Sequence, residues 1–202
     1  MAANIRAGIL DLFWDSSKLA FYDFNLTSNS RNNIFSAATF YPLWAGITPD
    51  EVLSSSTNAF GFFSSIHMVL RRYNGTYPTT FIESGLQWDA PNAWPPHQYI
   101  ALQALLGLPA NISGGALPQP PSGQSAYTLV PSGQLDVAEN ALPGQVVADG
   151  KNASNSGSGA DINALDGGTF VNGGNATTGE GWRDALARGL ANRYFTSVFC
   201  SW

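Results

Sequence analysis

The chain has 202 residues, of which 44% are hydrophobic and only 11% charged, with a formal net charge of −5. A typical soluble domain carries roughly 25% charged residues, so this surface is polar through Ser, Thr, Asn and Gly rather than ionic. Nine Lys and Arg in all leave no basic footprint for nucleic acid, and no apolar run approaches the ~18 residues of a bilayer span.

Ile5, Ile9, Leu12 and Phe13 recur at helical spacing, so Ala2 to Phe13 reads as an amphipathic helix ended by Trp14 and Asp15. Phe21, Tyr22 and Phe24 form an aromatic turn or short strand around Asp23. Asp11 reads as part of a solvated face and Asp15 as a helix-end hydrogen-bonder. Phe35 to Ile47 is almost wholly apolar and small, which predicts a helix buried on most sides. Pro42 should kink or shorten it. Thr48-Pro49-Asp50-Glu51 is a helix start, with Thr48 as N-cap, Pro49 at the first position and Glu51 completing a capping box. That helix is expected to run to about Arg72, weakened at Gly61. His67 on it reads as a surface or hydrogen-bonded histidine, with no second ligand spaced to form a metal site. Asn74-Gly75 turns the chain, and Tyr77 to Phe81 reads as extended, delivering Glu83 and Ser84 to the edge of the next loop.

That loop reads Gln87-Trp-Asp-Ala-Pro-Asn-Ala-Trp-Pro-Pro-His-Gln98. Pro91 forbids a regular helix or central strand, so Asp89 to Trp94 is irregular. Pro95 and Pro96 suit the first positions of the following helix, where a missing N–H costs nothing. An irregular loop holding Trp88, Trp94, Asp89, Gln87 and Asn92 has the chemistry of a sugar pocket. Indole faces stack on pyranose C–H surfaces, and fixed amides and carboxylates orient hydroxyls. Trp88 is the candidate stacking face and Trp94 the packing anchor beneath, while Gln87, Asp89 and Asn92 order the loop or the hydroxyls. Glu83 reads as bracing or exposed, and His97, near the pocket rim, as a capping or surface group. Tyr99, Ile100, Leu102, Leu105 and Leu106 make Pro95 to Leu106 an amphipathic helix stopped by Gly107 and Pro109.

Character changes after Leu108. Residues 109–178 are rich in Gly, Ser, Asn and Pro with no sustained periodicity, and read as a disordered insertion with flexible runs at Gly157–Ala160 and Gly167–Gly174. From Gly179 onward Trp182, Ala185, Leu186, Ala191, Phe195, Val198 and Phe199 recur at helical spacing to Trp202, where the helix reads as cut short. Five sequons, at Asn25, Asn74, Asn111, Asn152 and Asn175, point to a secreted or vacuolar glycoprotein. Met1 to Leu10 has no signal-peptide pattern, so Met1 reads as not the natural start. The lone Cys200 is either a thiol whose partner is missing or a buried free thiol.

The string Gln87-Trp88-Asp89-x-Pro91-x-x-Trp94-x-Pro96 resembles the second signature of the trehalases, inverting hydrolases of α,α-trehalose. The similarity extends more weakly over Gly8 to Leu108, through Leu12-Phe13-Trp14-Asp15, Phe35-Ser36-Ala37-Ala38 and Pro42-Leu43. It implies an all-α chain forming part of an α/α toroid, a six-hairpin helical barrel, incomplete at both ends. Residues 1–108 would be hairpins carrying the substrate loop, and 179–202 a further toroid helix. It implies trehalose as substrate, two glucose molecules as products and no cofactor. The family's general acid sits in a Gly-Trp-Asp segment and its base in a Gly-rich Glu segment. Neither is found here, so no catalytic residue is assigned and the chain is expected to be inactive alone. Two other readings stay open: another inverting toroid hydrolase of glucoamylase type, and a non-catalytic fragment.

Overall fold

Phenylalanines and small residues gather the middle of the chain around one helix. The computed structural model describes residues 1–144 and 180–200, and everything below concerns these residues. In chain order they form α1 (Ala2–Leu12), β1 (Trp14–Asp15), β2 (Ala20–Phe21), β3 (Phe24–Asn25), β4 (Ser30–Arg31), α2 (Tyr41–Trp44), α3 (Asp50–Ser54), α4 (Ser56–Arg72), α5 (Pro95–Leu106), α6 (Ala110–Ser113) and α7 (Trp182–Cys200).

The hub is α4. From Ala59 to Leu70 every residue is buried, so it is packed on all sides rather than along one stripe. Phe62 and Phe63 face Phe40 with ring centroids 5.7 and 5.5 Å away, and Phe40 in turn meets Tyr77 at 5.7 Å. Full burial of each such side chain contributes about 1.5–3 kcal/mol. Gly61 has a packing reason: a Cβ there would lie 2.9 Å from Leu19 Cδ1 and 3.3 Å from Pro131 Cγ. The glycine that costs helix propensity lets two other segments approach the α4 backbone.

Several expectations are corrected. The fold is mainly helical but not all-α. β1 pairs antiparallel with β2, and β3 with β4. Asp15 therefore braces a strand turn, not a helix end, its Oδ1 accepting from Ser17 N at 3.0 Å and Lys18 N at 3.2 Å. The Phe35–Ile47 helix is reduced to a 3-10 turn over Ala37–Phe40 followed by the short α2, because Pro42 supplies no donor to continue the upstream ladder. The helix expected to run unbroken from Thr48 breaks at Ser55, which is extended (φ −142°, ψ 121°). Pro49, not Thr48, precedes α3, without a side-chain cap. The Ser55 hydroxyl caps α4 instead, accepting from Asn58 N at 3.2 Å. His67 is neither exposed nor hydrogen-bonded. It is fully buried, and neither ring nitrogen has a partner among the described residues.

Residues 110–144, expected to be disordered, are instead packed chain, irregular apart from α6 and 3-10 turns at Ala126–Leu129 and Glu139–Ala141. Ile112, Ala126, Leu135 and Leu142 join the core. Gln134 is fully buried, and its amide donates to Lys18 O and Leu19 O at 3.0 Å and Gly61 O at 3.3 Å, while its own carbonyl accepts from Tyr22 Oη at 2.5 Å. Buried Arg72 donates to Glu139 Oε1 at 3.3 Å, and the Ser125 hydroxyl donates to the same oxygen. The glycine runs at 157–160 and 167–174, with Asn152 and Asn175, lie outside the described residues, as does the Cys200 side chain. No described helix is long and apolar enough to cross a membrane.

The far end of α4 positions the loop of interest. Ser36 and Thr80 form an antiparallel bridge that holds the extended 77–81 stretch against the core. Arg193 of α7 donates to Leu70 O at 3.2 Å and to Tyr73 O, so α7 caps the end of α4 just before that stretch begins.

Candidate functional site: the Gln87–Gln98 loop

The loop is built around the backbone and carboxylate of Asp89. Its N–H donates to Leu86 O at 3.2 Å and its carbonyl accepts from Asn92 N at 3.0 Å. Its carboxylate accepts from Thr80 Oγ1 at 2.8 Å and from Ser84 Oγ. These two hydroxyls, Ser84 first, hold the Asp89 carboxyl below its ordinary range, because they stabilise only the ionised form. Asp89 is thus committed to bracing. Asn92 braces as well: its side-chain amide donates to Leu86 O at 3.3 Å and its carbonyl accepts from Thr79 N at 3.3 Å. Ala90 N donates to Ile82 O at 2.9 Å, and the peptide bond from Ala90 to Pro91 is cis.

On this frame stand the two indoles. Trp88 and Trp94 are stacked, with centroids 4.3 Å apart and planes inclined by 21°. Trp94 is half-buried, and its Nε1 donates to Gln87 O at 3.3 Å, closing the loop on itself. Trp88 is 55% exposed. It stacks on Trp94 and has the His97 ring 6.0 Å away, and more than half of the residue stays open to solvent. Gln87 is exposed, and its side-chain amide has no hydrogen-bond partner among the described residues. Pro95 and Pro96 take the first two positions of α5, with Trp94 as its N-cap residue.

The structure therefore brings all five candidate residues together but gives them different tasks. Trp88 and Gln87 are presented to solvent, while Asp89, Asn92 and Trp94 hold the loop. The arrangement is an open platform rather than an enclosed pocket. A cavity of about 370 Å³ adjoins the loop from behind, between Tyr73, Pro78, Phe81, Glu83, Pro91 and Pro143, and Trp88 takes no part in its lining. Two residues that matter to the site were not singled out from sequence. Thr80 entered only as part of the extended 77–81 stretch and Ser84 only as a neighbour of the loop, yet both fix Asp89. A Thr and a Ser nine and five residues before a loop Asp are a usable signal only once the turn at Gly85 (φ +78°) is known. Among the described residues no group of three or more His, Cys, Asp or Glu is placed to hold a metal ion.

Of the sequon residues described, Asn25, Asn74 and Asn111 are all exposed. Asn25 Oδ1 accepts from Thr27 N at 2.8 Å in the turn between β3 and β4.

Comparison with known proteins places these features. A trehalase of Oryctolagus cuniculus is 30% identical over 110 residues, which is 54% of this chain and 18% of that protein. A periplasmic trehalase of Escherichia coli O1:K1 / APEC is 32% identical over 104 residues, 51% of this chain and 17% of that one. Among solved structures, the neutral trehalase Nth1 from Saccharomyces cerevisiae is similar at 27% identity over 53% of this chain and 20% of that chain, with a TM-score of 0.43. The chain spans about a fifth of the length of these relatives. The family model described as Trehalase matches residues 1–116, more than half of the chain and including the whole Gln87–Pro96 signature; the chain belongs to the trehalase family.

Proposed function

We propose that this chain serves an α,α-trehalase, a glycoside hydrolase that splits trehalose into two glucose molecules, and that it supplies a wall of the substrate site within an α/α toroid. The observation that carries this reading is the exposure of Trp88, 55% open to solvent while stacked on Trp94 at 4.3 Å. The stack holds the indole already ordered, so little conformational entropy is lost when a pyranose settles on its exposed surface. Gln87 stands beside it with an uncommitted amide for a hydroxyl, and Asp89 and Asn92 keep the loop in shape. Inverting hydrolysis requires an acid and a base roughly 6.5–9.5 Å apart. Asp89 is taken up by Thr80 and Ser84, so neither role is given to it. The exposed sequon residues support a secretory or vacuolar route, with glycans on Asn25, Asn74 and Asn111.

The test is a titration of the 202-residue chain with trehalose, read by tryptophan fluorescence, for wild type and Trp88→Ala. Base–aromatic stacking at about 1–3 kcal/mol is the nearest measured analogue, so Trp88→Ala should weaken binding roughly 5- to 150-fold. A folded wild-type chain with no saturable response, or equal affinity in the variant, would overturn the reading.

A further inference from the structure

His97 stands where the platform meets α5, and the family resemblance assigns it no part. It follows Pro95 and Pro96 in the first turn of α5. Its ring lies 6.0 Å from that of Trp88, and 5.9 Å from Tyr41 in an edge-to-face arrangement. Both aromatics pack against the imidazole, and this packing restrains its rotamer. Nδ1 is buried and has no hydrogen-bond partner among the described residues. Nε2 is not among the buried nitrogens and likewise has no partner among the described residues, so it is the ring atom that reaches solvent. Partial burial lowers the affinity of this imidazole for a second proton, which leaves the neutral ring with one proton to place. An unpaired buried N–H costs more than an unpaired buried lone pair, since orphaned donors are the rarer and dearer defect. The proton therefore belongs on Nε2. The outcome is a fixed outward N–H donor at the border of the Trp88 indole.

We propose that His97 is a specificity-determining residue, whose Nε2–H donates to one hydroxyl oxygen of the glucose unit resting on Trp88. Stacking alone accepts any flat sugar face. A directed donor at the border of the stack selects the epimers that place an oxygen there, because a site built around a polar contact rejects ligands that leave it unpaired. The inference rests on the platform reading above, and the experiment separates the two.

The experiment is calorimetric titration of the full 202-residue chain with trehalose and with its 2-, 3-, 4- and 6-deoxy analogues, for wild type, His97→Phe and His97→Gln. The expected result is that one deoxy analogue binds wild type about fivefold more weakly than trehalose, in the range of a single neutral hydrogen bond. The same analogue and trehalose should bind His97→Phe within twofold of each other. His97→Gln, which carries an amide donor near the Nε2 position, should restore most of the discrimination. A purely packing role for His97 gives equal losses for every analogue in wild type and His97→Phe, and that additivity would overturn the inference alone. Absence of trehalose binding by wild type would overturn the platform reading and this inference with it.

Discussion

Gln134 ties the irregular 110–144 stretch to the helical core, and Gln134→Leu is the perturbation that measures the tie. The wild-type amide serves two carbonyls at 3.0 Å, Lys18 O and Leu19 O, and reaches Gly61 O at 3.3 Å. Gly61 O also accepts the Ser64 hydroxyl at 2.8 Å, so it keeps a partner when the amide is gone. Two carbonyls are left without their donor. Each such loss costs about 1–3 kcal/mol, partly offset because the variant also removes Gln134 Oε1, which is buried without a partner among the described residues. The expected net is about 2–4 kcal/mol, a large share of a stability of roughly 5–15 kcal/mol. With a urea m-value of about 2 kcal/mol/M, the unfolding midpoint should fall by ~1–2 M. Tyr22→Phe deletes only the bond to Gln134 O and, by leaving that one buried carbonyl without its donor, should cost about 1–3 kcal/mol. Limited proteolysis adds the spatial information: residues 117–144 should resist cleavage in wild type and be cut early in Gln134→Leu. A midpoint unchanged within about 0.3 M, with unchanged cleavage of 117–144, would refute the claim that this stretch is docked through Gln134.

Two further outcomes are expected. Burial in apolar surroundings, reinforced by the nearby Arg71 charge, pushes the His67 imidazole down to about 3 from its ordinary 6.5. Between those values the unfolded chain binds a proton that the folded chain refuses, so stability should fall with falling pH by about 1.4 kcal/mol per unit. Above 6.5 the effect is absent. Urea midpoints for wild type and His67→Leu at several pH values check this, and an equally steep acid loss in the variant would assign the slope to other groups. When the protein is expressed through a secretory pathway, mass spectrometry should find glycans on Asn25, Asn74 and Asn111. All three unmodified would remove the support for that route.

The parts of the fold that were legible in sequence are those set by neighbours in the chain. Pro95–Leu106 was readable to the residue because prolines open it, a glycine follows it and apolar residues keep helical spacing between. The irregular Trp88 loop was equally plain from its prolines. What escaped was fixed by distant partners. A helix start near Thr48 was visible locally, but the break at extended Ser55, which separates α3 from α4, was not, because Ser55 lies inside an otherwise continuous helical pattern. Residues 110–144 show no periodicity because single apolar side chains, Ile112, Ala126, Leu135 and Leu142, each enter the core alone. Their polar bonds reach back more than a hundred positions, as from Gln134 to Lys18. No local pattern encodes such pairings. His67 was misread for a similar reason, since its burial depends on Phe60 and on Trp182, which meets Phe60 edge-on at 5.5 Å from far along the sequence. Within the candidate site, residue identity announced the platform, but which groups are committed to bracing became clear only from Thr80 and Ser84.

The paired prolines at the start of α5 carry a consequence for charged ligands. A helix start attracts anions through its dipole and through the free N–H groups of its first turn. Here Pro95 and Pro96 have no N–H to offer, and the next two, on His97 and Gln98, already donate to Trp94 O at 3.1 and 3.4 Å. The dipole points toward the platform, but the first turn of α5 has no free backbone donor left to grip a phosphate oxygen. A phosphorylated disaccharide laid on Trp88 would therefore find no backbone grip for its charge at this helix end and would depend on side-chain donors such as Gln87 and His97 alone.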